Sequence, residues 1–217
     1  MSIRIVLADD HLIVRDGLRS LLGQQTDMEV VAEAADGLEA VQVTNDSRPD
    51  LVVMDASMPT LNGIEAARRI GAQRPEVRIL CLSMHNESRF VSAMLEAGAS
   101  GYLLKDCATE ELIRAIRAVM AGQVYISPGV GHVIADRFKA GRVAAGPSAF
   151  SVLTDKERSV LQLLAEGHTT KEIGERLKIS TRTVATHREH VMAKLGISSV
   201  AGLTKYAIQQ GLTSLHT

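Results

Sequence analysis

The stretch LVVMDASMPTLNG, Leu51 to Gly63, decides the reading of the first half of the chain. Leu51–Met54 is a short apolar run of β-forming residues that ends on a single carboxylate, Asp55. Strands buried in parallel sheets are apolar along their whole length, so the run predicts a central strand with Asp55 at its carboxyl tip. Open α/β sheets keep their chemistry at that edge. Met58-Pro59 and Asn62-Gly63 are turn signals just beyond the strand, placing Asp55 under a loop and outside a core. A carboxylate there serves as a cation ligand, as a nucleophile, or as both.

Four more apolar runs flank this one: Ile3–Ala8, Val30–Ala34, Val77–Ser83 and Gly101–Leu104. Helix-like stretches lie between them, with apolar stripes along His11–Leu22, Gly37–Val43 and Ile64–Ile70, and Thr109–Met120 comes after the last run. Alternation of this kind predicts an α/β unit with a five-stranded parallel sheet and helices on both faces. The polar residues fall where the strands end: Asp9 and Asp10 after the first, Asp55 after the third, Ser83 after the fourth, Lys105 after the fifth. Parallel strands share one carboxyl edge, so these five groups converge on one pocket. Three carboxylates crowded together repel unless a cation sits among them, and an oxygen-only site with room for water suits Mg²⁺. Lys105 and that ion would neutralise charge on a phosphoryl group as the Asp55 carboxylate attacks it.

Taken jointly, the acidic pair, the apolar-D-x-x-M-P setting of Asp55 with N-G after it, Ser83, and Lys105 three residues after Tyr102 resemble the receiver domain of bacterial two-component response regulators. The resemblance covers residues 1–122. It implies a flavodoxin-like, doubly wound fold in which Asp55 is the phosphoacceptor. Asp9, Asp10, Asp55 and the backbone carbonyl of Ser57 would hold Mg²⁺, and Ser83 and Lys105 would read the phosphoryl oxygens. Tyr102 matches the family's switch aromatic, whose ring moves inward when Ser83 is drawn to the phosphate. A half-buried strand aromatic without that role stays open for Tyr102, as does a solvated turn or helix cap for Asp9 and Asp10.

Two enzyme classes fit less well. Haloacid-dehalogenase-type phosphatases resemble D-x-D, with a second aspartate as general acid, and here that position is Ser57. A dinucleotide-binding unit needs a glycine-rich turn after the first strand, where this chain has Ala8, Asp9, Asp10 and His11.

At 217 residues the chain suits two domains, and 46% apolar residues with a formal net charge of −1 suit a globular protein. The charge is unevenly spread. Residues 1–122 carry 12 Lys+Arg against 18 Asp+Glu, a net of −6, whereas 151–217 carry 9 against 6, a net of +3. The two ends face different partners. MSIRIVLADD turns acidic too early for a signal peptide, and no segment approaches the ~18 apolar residues of a membrane span, so a cytoplasmic protein with no membrane partner is expected. Cys81 and Cys107 lack a CxxC or His-rich setting, and Cys81 lies in an apolar run that reads as core.

After Gly122, Ser127-Pro128 opens a short predicted helix with Val130, Val133, Ile134 and Phe138 on one side, and an aperiodic tether continues to residue 148. From Leu153 helix signals are dense. Thr154-x-x-Glu157 and Thr169-x-x-Glu172 are capping boxes, Ser180 caps a third helix running to Lys194 or Leu195, and Val200, Leu203, Thr204 and Ala207 stripe a fourth. Two helices joined by a brief turn, then a longer one, describe a helix-turn-helix. The L-T-x-x-E-x-x-V-L opening, the K-E-I segment and I-S-x-x-T-V-x-x-H followed by K-L resemble the LuxR/NarL/FixJ-type DNA-binding domain, an all-α four-helix unit over 149–217. A helical bundle that binds only protein is the bland alternative.

On the third helix Val184, Val191 and Leu195 point inward, and His187 lies with them as a packed, hydrogen-bonded side chain. Lys171, Arg188 and Lys194 suit phosphate contacts; Arg182, Ala185, Thr186 and Glu189 suit base edges. Relatives often carry a basic residue where this chain has Ala185. Val200, Leu203, Thr204 and Ala207 read as a dimer helix, with packing on Thr154–Glu166 as the competing use of the stripe. The whole chain is identified as a member of the LuxR-type response regulators, which implies a transcriptional regulator with residues 1–122, 123–148 and 149–217 as receiver, linker and DNA-binding domain. Its implied partners are a histidine kinase, double-stranded promoter DNA, and a second copy on phosphorylation or on DNA. A phosphate-independent regulator with a vestigial receiver is the other functional reading.

Overall fold

The computed structural model describes residues 2–107, 109–131 and 149–213, which fall into two compact units. In the first, β1 (Ile3–Ala8), α1 (Leu12–Gly23), β2 (Met28–Ala34), α2 (Gly37–Ser47), β3 (Leu51–Asp55), α3 (Gly63–Gln73), β4 (Arg78–Ser83), α4 (Ser88–Glu96), β5 (Gly101–Leu104), α5 (Thr109–Met120) and β6 (Tyr125–Ile126) run in this order. The strands form one parallel sheet in the order β2-β1-β3-β4-β5-β6. All five residues of β3 are buried, as its unbroken apolar run requires. Ile5, Leu7, Leu51, Val53, Leu80, Leu82 and Leu103 alternate onto one face and pack with Leu22, Leu112, Ile116 and Val119 of α1 and α5. Cys81 is a fully buried free thiol, in keeping with its apolar run.

The sheet has six strands where five are expected. Tyr125 and Ile126 are too few for a periodic signal, and the strand exists because its backbone finds the open edge of β5: Ser127 N donates to the Tyr102 carbonyl at 2.9 Å. Ser127 Oγ donates to Glu111 on α5 at 2.8 Å, and Val130 is fully buried. The chain turns helical at Pro128, as its Ser-Pro pair predicts, but Val133, Ile134, Phe138 and the tether beyond them lie outside the described residues.

The second unit contains α6 (Ala149–Val152), α7 (Asp155–Ala165), α8 (Thr170–Leu177), α9 (Thr181–Leu195) and α10 (Val200–Gln210). The one-turn α6 is additional to the four expected helices. Both capping boxes are formed, with Glu157 and Glu172 reaching back to the backbone N–H of Thr154 and Thr169 at 2.8 and 2.7 Å. A Cβ at Gly174 would lie 2.8 Å from the Ile179 carbonyl oxygen, so the α8–α9 turn closes tightly because that position has no side chain.

The stripe on α10 requires a correction. Leu203 and Ala207 are fully buried in the unit's own core, where α10 packs on α7, while Val200 is 45% exposed and Thr204 is intermediate. The four share one stripe, but the core claims Leu203 and Ala207, and those two cannot also meet a second copy. Leu203→Asp is therefore expected to destabilise the unit by roughly 4 kcal/mol or more, through lost packing and a buried unpaired carboxylate. Val200→Asp should cost under about 0.5 kcal/mol. Circular dichroism melts of the two variants check this.

Candidate functional site

Register brings the polar tips together. Ala8 pairs with Met54, Asp55 with Leu82, and Ser83 with Leu104, so Asp9, Asp55, Ser83 and Lys105 leave four adjacent strands within a residue of one another. The strand order reverses between β1 and β3, and the crevice at such a switch point opens between Asp9 and Asp55. Gly63 roofs it: its N–H donates to Ala56 at 2.9 Å, and a Cβ there would lie 1.8 Å from the Asp55 carbonyl oxygen. Asn62, read from sequence as a turn signal, is also the N-cap of α3, with its side chain accepting from Glu65 N.

Lys105 Nζ lies 2.7 Å from Asp9 Oδ2 and 3.0 Å from Asp55 Oδ2. Both carboxylates are almost wholly buried. Burial pushes the Asp55 carboxyl up to about 6; Lys105 opposes the rise and Asp9 adds to it. Burial works against the charge on Lys105 too, but Asp55 and Asp9 outweigh it and hold its pKa above the ordinary value. One ammonium thus serves two carboxylates, with Asp10 beside them. Ligand atoms of Asp9, Asp10, His11 and Asp55 all lie within 4.8 Å of one another. Asp10 Oδ1 is buried and makes no hydrogen bond; His11 Nδ1, 2.8 Å away, is hydrogen-bonded to Asp9 Oδ1. A buried carboxylate oxygen lacking a donor, amid a cluster of surplus negative charge, fits a hard divalent cation.

Sequence reasoning missed His85. Its Nε2 is 3.0 Å from Ser57 Oγ, its N–H donates to Ser83 Oγ at 3.1 Å, and its carbonyl accepts from the Tyr102 hydroxyl at 2.7 Å. Its ring stacks on Phe90 with centroids 4.1 Å apart. One residue thereby ties together three predicted ones, and the available signal was its place two residues after Ser83. Tyr102 is fully buried, with its hydroxyl held by the His85 carbonyl. Burial also drives its phenol pKa far up, which keeps the hydroxyl a donor. Arg15 went unnoticed too; it donates to the Asp9 carbonyl and to Glu33.

In the helical unit, α9 turns Val184 and Val191 inward and leaves Arg182, Ala185, Thr186, Glu189 and Ala193 exposed, as its spacing predicts. The Thr186 hydroxyl donates to the Arg182 carbonyl. Lys171 is exposed on α8, 4.0 Å from Glu175, and Arg188 is intermediate with its Nε buried and unpaired. Lys194 differs from expectation: its Nζ lies 2.7 Å from Glu157 Oε2. His187 is half-buried as expected, but its buried Nδ1 makes no hydrogen bond. Among the described residues no helix is long and apolar enough to cross a membrane.

Residues 5–117 match the response regulator receiver domain, and 151–207 match the bacterial regulatory proteins of the luxR family. The oxygen regulatory protein NreC of Staphylococcus epidermidis is 38% identical over 214 residues, covering 96% of this chain and 98% of the relative. A LuxR-family two-component response regulator from Aurantimonas sp. SI85-9A1 is 43% identical over 64% of this chain and 99% of its own, with a TM-score of 0.61. RcsB from Salmonella enterica serovar Typhimurium, bound to promoter P1flhDC in the presence of the phosphomimetic BeF3-, is 28% identical over 98% of this chain and 100% of its own, with a TM-score of 0.63.

The raised carboxyl of Asp55 has a consequence for stability. A folded-state pKa above the unfolded 3.8 favours the fold below about pH 4, and that contribution is lost as pH rises through about 6. In chelator at pH 8, Asp55→Asn is expected to stabilise the first unit by on the order of 2 kcal/mol, and the gap should close near pH 4. Calorimetry of both proteins across that range, then with Mg²⁺ added to restore the wild type, measures it.

Proposed function

The chain belongs to the LuxR family of response regulators, DNA-binding transcriptional regulators of two-component systems and not enzymes, and from that premise we propose that Asp55 is the phosphoacceptor, charged by a partner histidine kinase. The observation that carries this reading is the shared ammonium of Lys105 between Asp9 and Asp55 at the carboxyl edge of β1 and β3. An Asp55 oxygen attacks phosphorus, the P–N bond of the donor phosphohistidine breaks with its electron pair going to the imidazole, and an acyl phosphate results. Asp9, Asp10, Asp55 and the Ser57 carbonyl would hold Mg²⁺, which supplies positive charge against the phosphoryl oxygens. Lys105 and the Ser83 hydroxyl bind those oxygens. Ser83 Oγ accepts from His85 N at 3.1 Å and is hydrogen-bonded to Tyr102, so a phosphoryl oxygen would compete with the phenol for its proton. Movement of Ser83 toward the phosphoryl group pulls on the backbone whose carbonyl holds Tyr102, which makes Tyr102 the switch.

Output is through α9. Arg182, Ala185, Thr186 and Glu189 read base edges of double-stranded promoter DNA, and Lys171 and Arg188 hold phosphates. The promoter-bound relative with a phosphomimetic supports both halves of this reading. A homodimer forms on phosphorylation or on DNA, with Val200 and Thr204 on the part of α10 left outside the core. The protein works in the cytoplasm, where its DNA and its phosphoryl donor meet.

Incubation with acetyl phosphate and Mg²⁺ should add one phosphoryl group to Asp55, located by peptide mass, and chelator or Asp55→Asn should abolish it. Undiminished labelling at another residue overturns the site; DNA binding indifferent to labelling favours a vestigial receiver. On duplexes enriched from a random library, Arg188→Ala should weaken binding to all sequences and lower the salt slope by about one unit, while Glu189→Ala relaxes preference at one base pair. Equal weakening on every duplex by Glu189→Ala contradicts its role.

A further inference from the structure

α9 is held to its unit by a thin apolar seam. Over 15 residues its fully buried side chains are Val184 and Val191, two turns apart, and Met192 and Leu195 pack on the same core from only partly buried positions. The polar contacts beyond Val191 are therefore informative. Lys194 lies one turn further on, and its Nζ reaches Glu157 Oε2 at 2.7 Å. The same oxygen accepts the Thr154 N–H at 2.8 Å, so the lysine is bolted to the capping box that opens α7. Glu157 is 3% exposed and Lys194 is partly exposed. His190 Nδ1 lies 3.9 Å from the other Glu157 oxygen, on the same side of α9. Burial pushes the Glu157 carboxyl up, but the hydrogen bonds from Lys194 and Thr154 outweigh it and hold the pKa below its ordinary value.

We infer that Glu157 and Lys194 are positioning residues that fix the angle at which α9 presents its base-reading side chains, and that Lys194 is not a phosphate contact. The inference rests on the reading of α9 as the DNA-recognition helix. Its logic is electrostatic. A lysine that meets a phosphate releases a counterion from the DNA, and does so at least cost when its partner in the free protein is water. The charge of Lys194 is already paired with a buried carboxylate; drawing it to a phosphate would deprive that carboxylate of its nearest cation. Lys171, at 81% side-chain exposure with a partner at 4.0 Å, carries no such penalty.

The two roles separate in the full-length chain, measured by anisotropy against a duplex enriched by the wild type from a random library and against an unselected duplex, over a salt series. For a positioning role, Lys194→Met should lower affinity for the enriched duplex about tenfold more than for the unselected one, leave the salt slope unchanged, and be rescued by Lys194→Arg. Glu157→Gln decides the matter independently, and does so if Lys194→Met does not fold. It leaves the lysine charge intact, so a positioning role requires the same loss of selectivity, whereas a phosphate-contacting Lys194, freed of its partner, should bind both duplexes as tightly or tighter with a steeper slope. Equal losses on both duplexes with Lys194→Met and a slope lower by about one unit likewise overturn the proposal. Arg182→Ala is measured alongside: if it leaves the base preference intact, the reading of α9 has failed and not the role of the pair.

Discussion

Lys105 stands between two buried carboxylates, and the first unit is arranged around that contact. Its ammonium meets Asp9 at 2.7 Å and Asp55 at 3.0 Å, a geometry available only where β1, β3 and β5 end level with one another. Parallel pairing supplies this, since each polar residue comes just after the last paired residues of neighbouring strands. One positive charge cannot balance Asp9, Asp10 and Asp55 together. Burial raises the Asp55 carboxyl to about 6 although a lysine touches it, and the charge of Asp9 adds to the rise. A site that holds surplus negative charge at the sheet edge is poised to take up positive charge, and a divalent cation followed by a phosphoryl group uses that property.

Much of this arrangement was legible because it depends on strands, and buried strands announce themselves. β1 and β5 have the bounds their apolar runs predict, and the positions of the tips are a direct result. His85 was not legible, since its three contacts depend on how the loop after β4 folds back over the sheet edge. Nor was β6, whose two residues pair because β5 leaves an edge open. Gly63 was readable as a turn, but its need to lie against the Asp55 backbone depends on the distance between two loops.

The helical unit shows the same division. Caps at Thr154, Thr169 and Ser180 are local signals and form where the sequence places them. The α10 stripe and Lys194 were ambiguous because helical spacing tells which side a residue faces and not what covers that side. The core covers Leu203 and Ala207, and Glu157, 37 residues away in sequence, covers Lys194.

The most direct test of the central electrostatic claim is a Mn²⁺ titration of the full chain followed by electron paramagnetic resonance, with Mn²⁺ standing in for Mg²⁺. Wild type should take up one ion per chain, and Asp10→Asn, which removes one carboxylate charge while leaving the Lys105 contacts in place, should lose that binding and remain folded. Equal uptake by wild type and Asp10→Asn, or no uptake by the wild type, would contradict a cation-dependent site at the tips of β1 and β3.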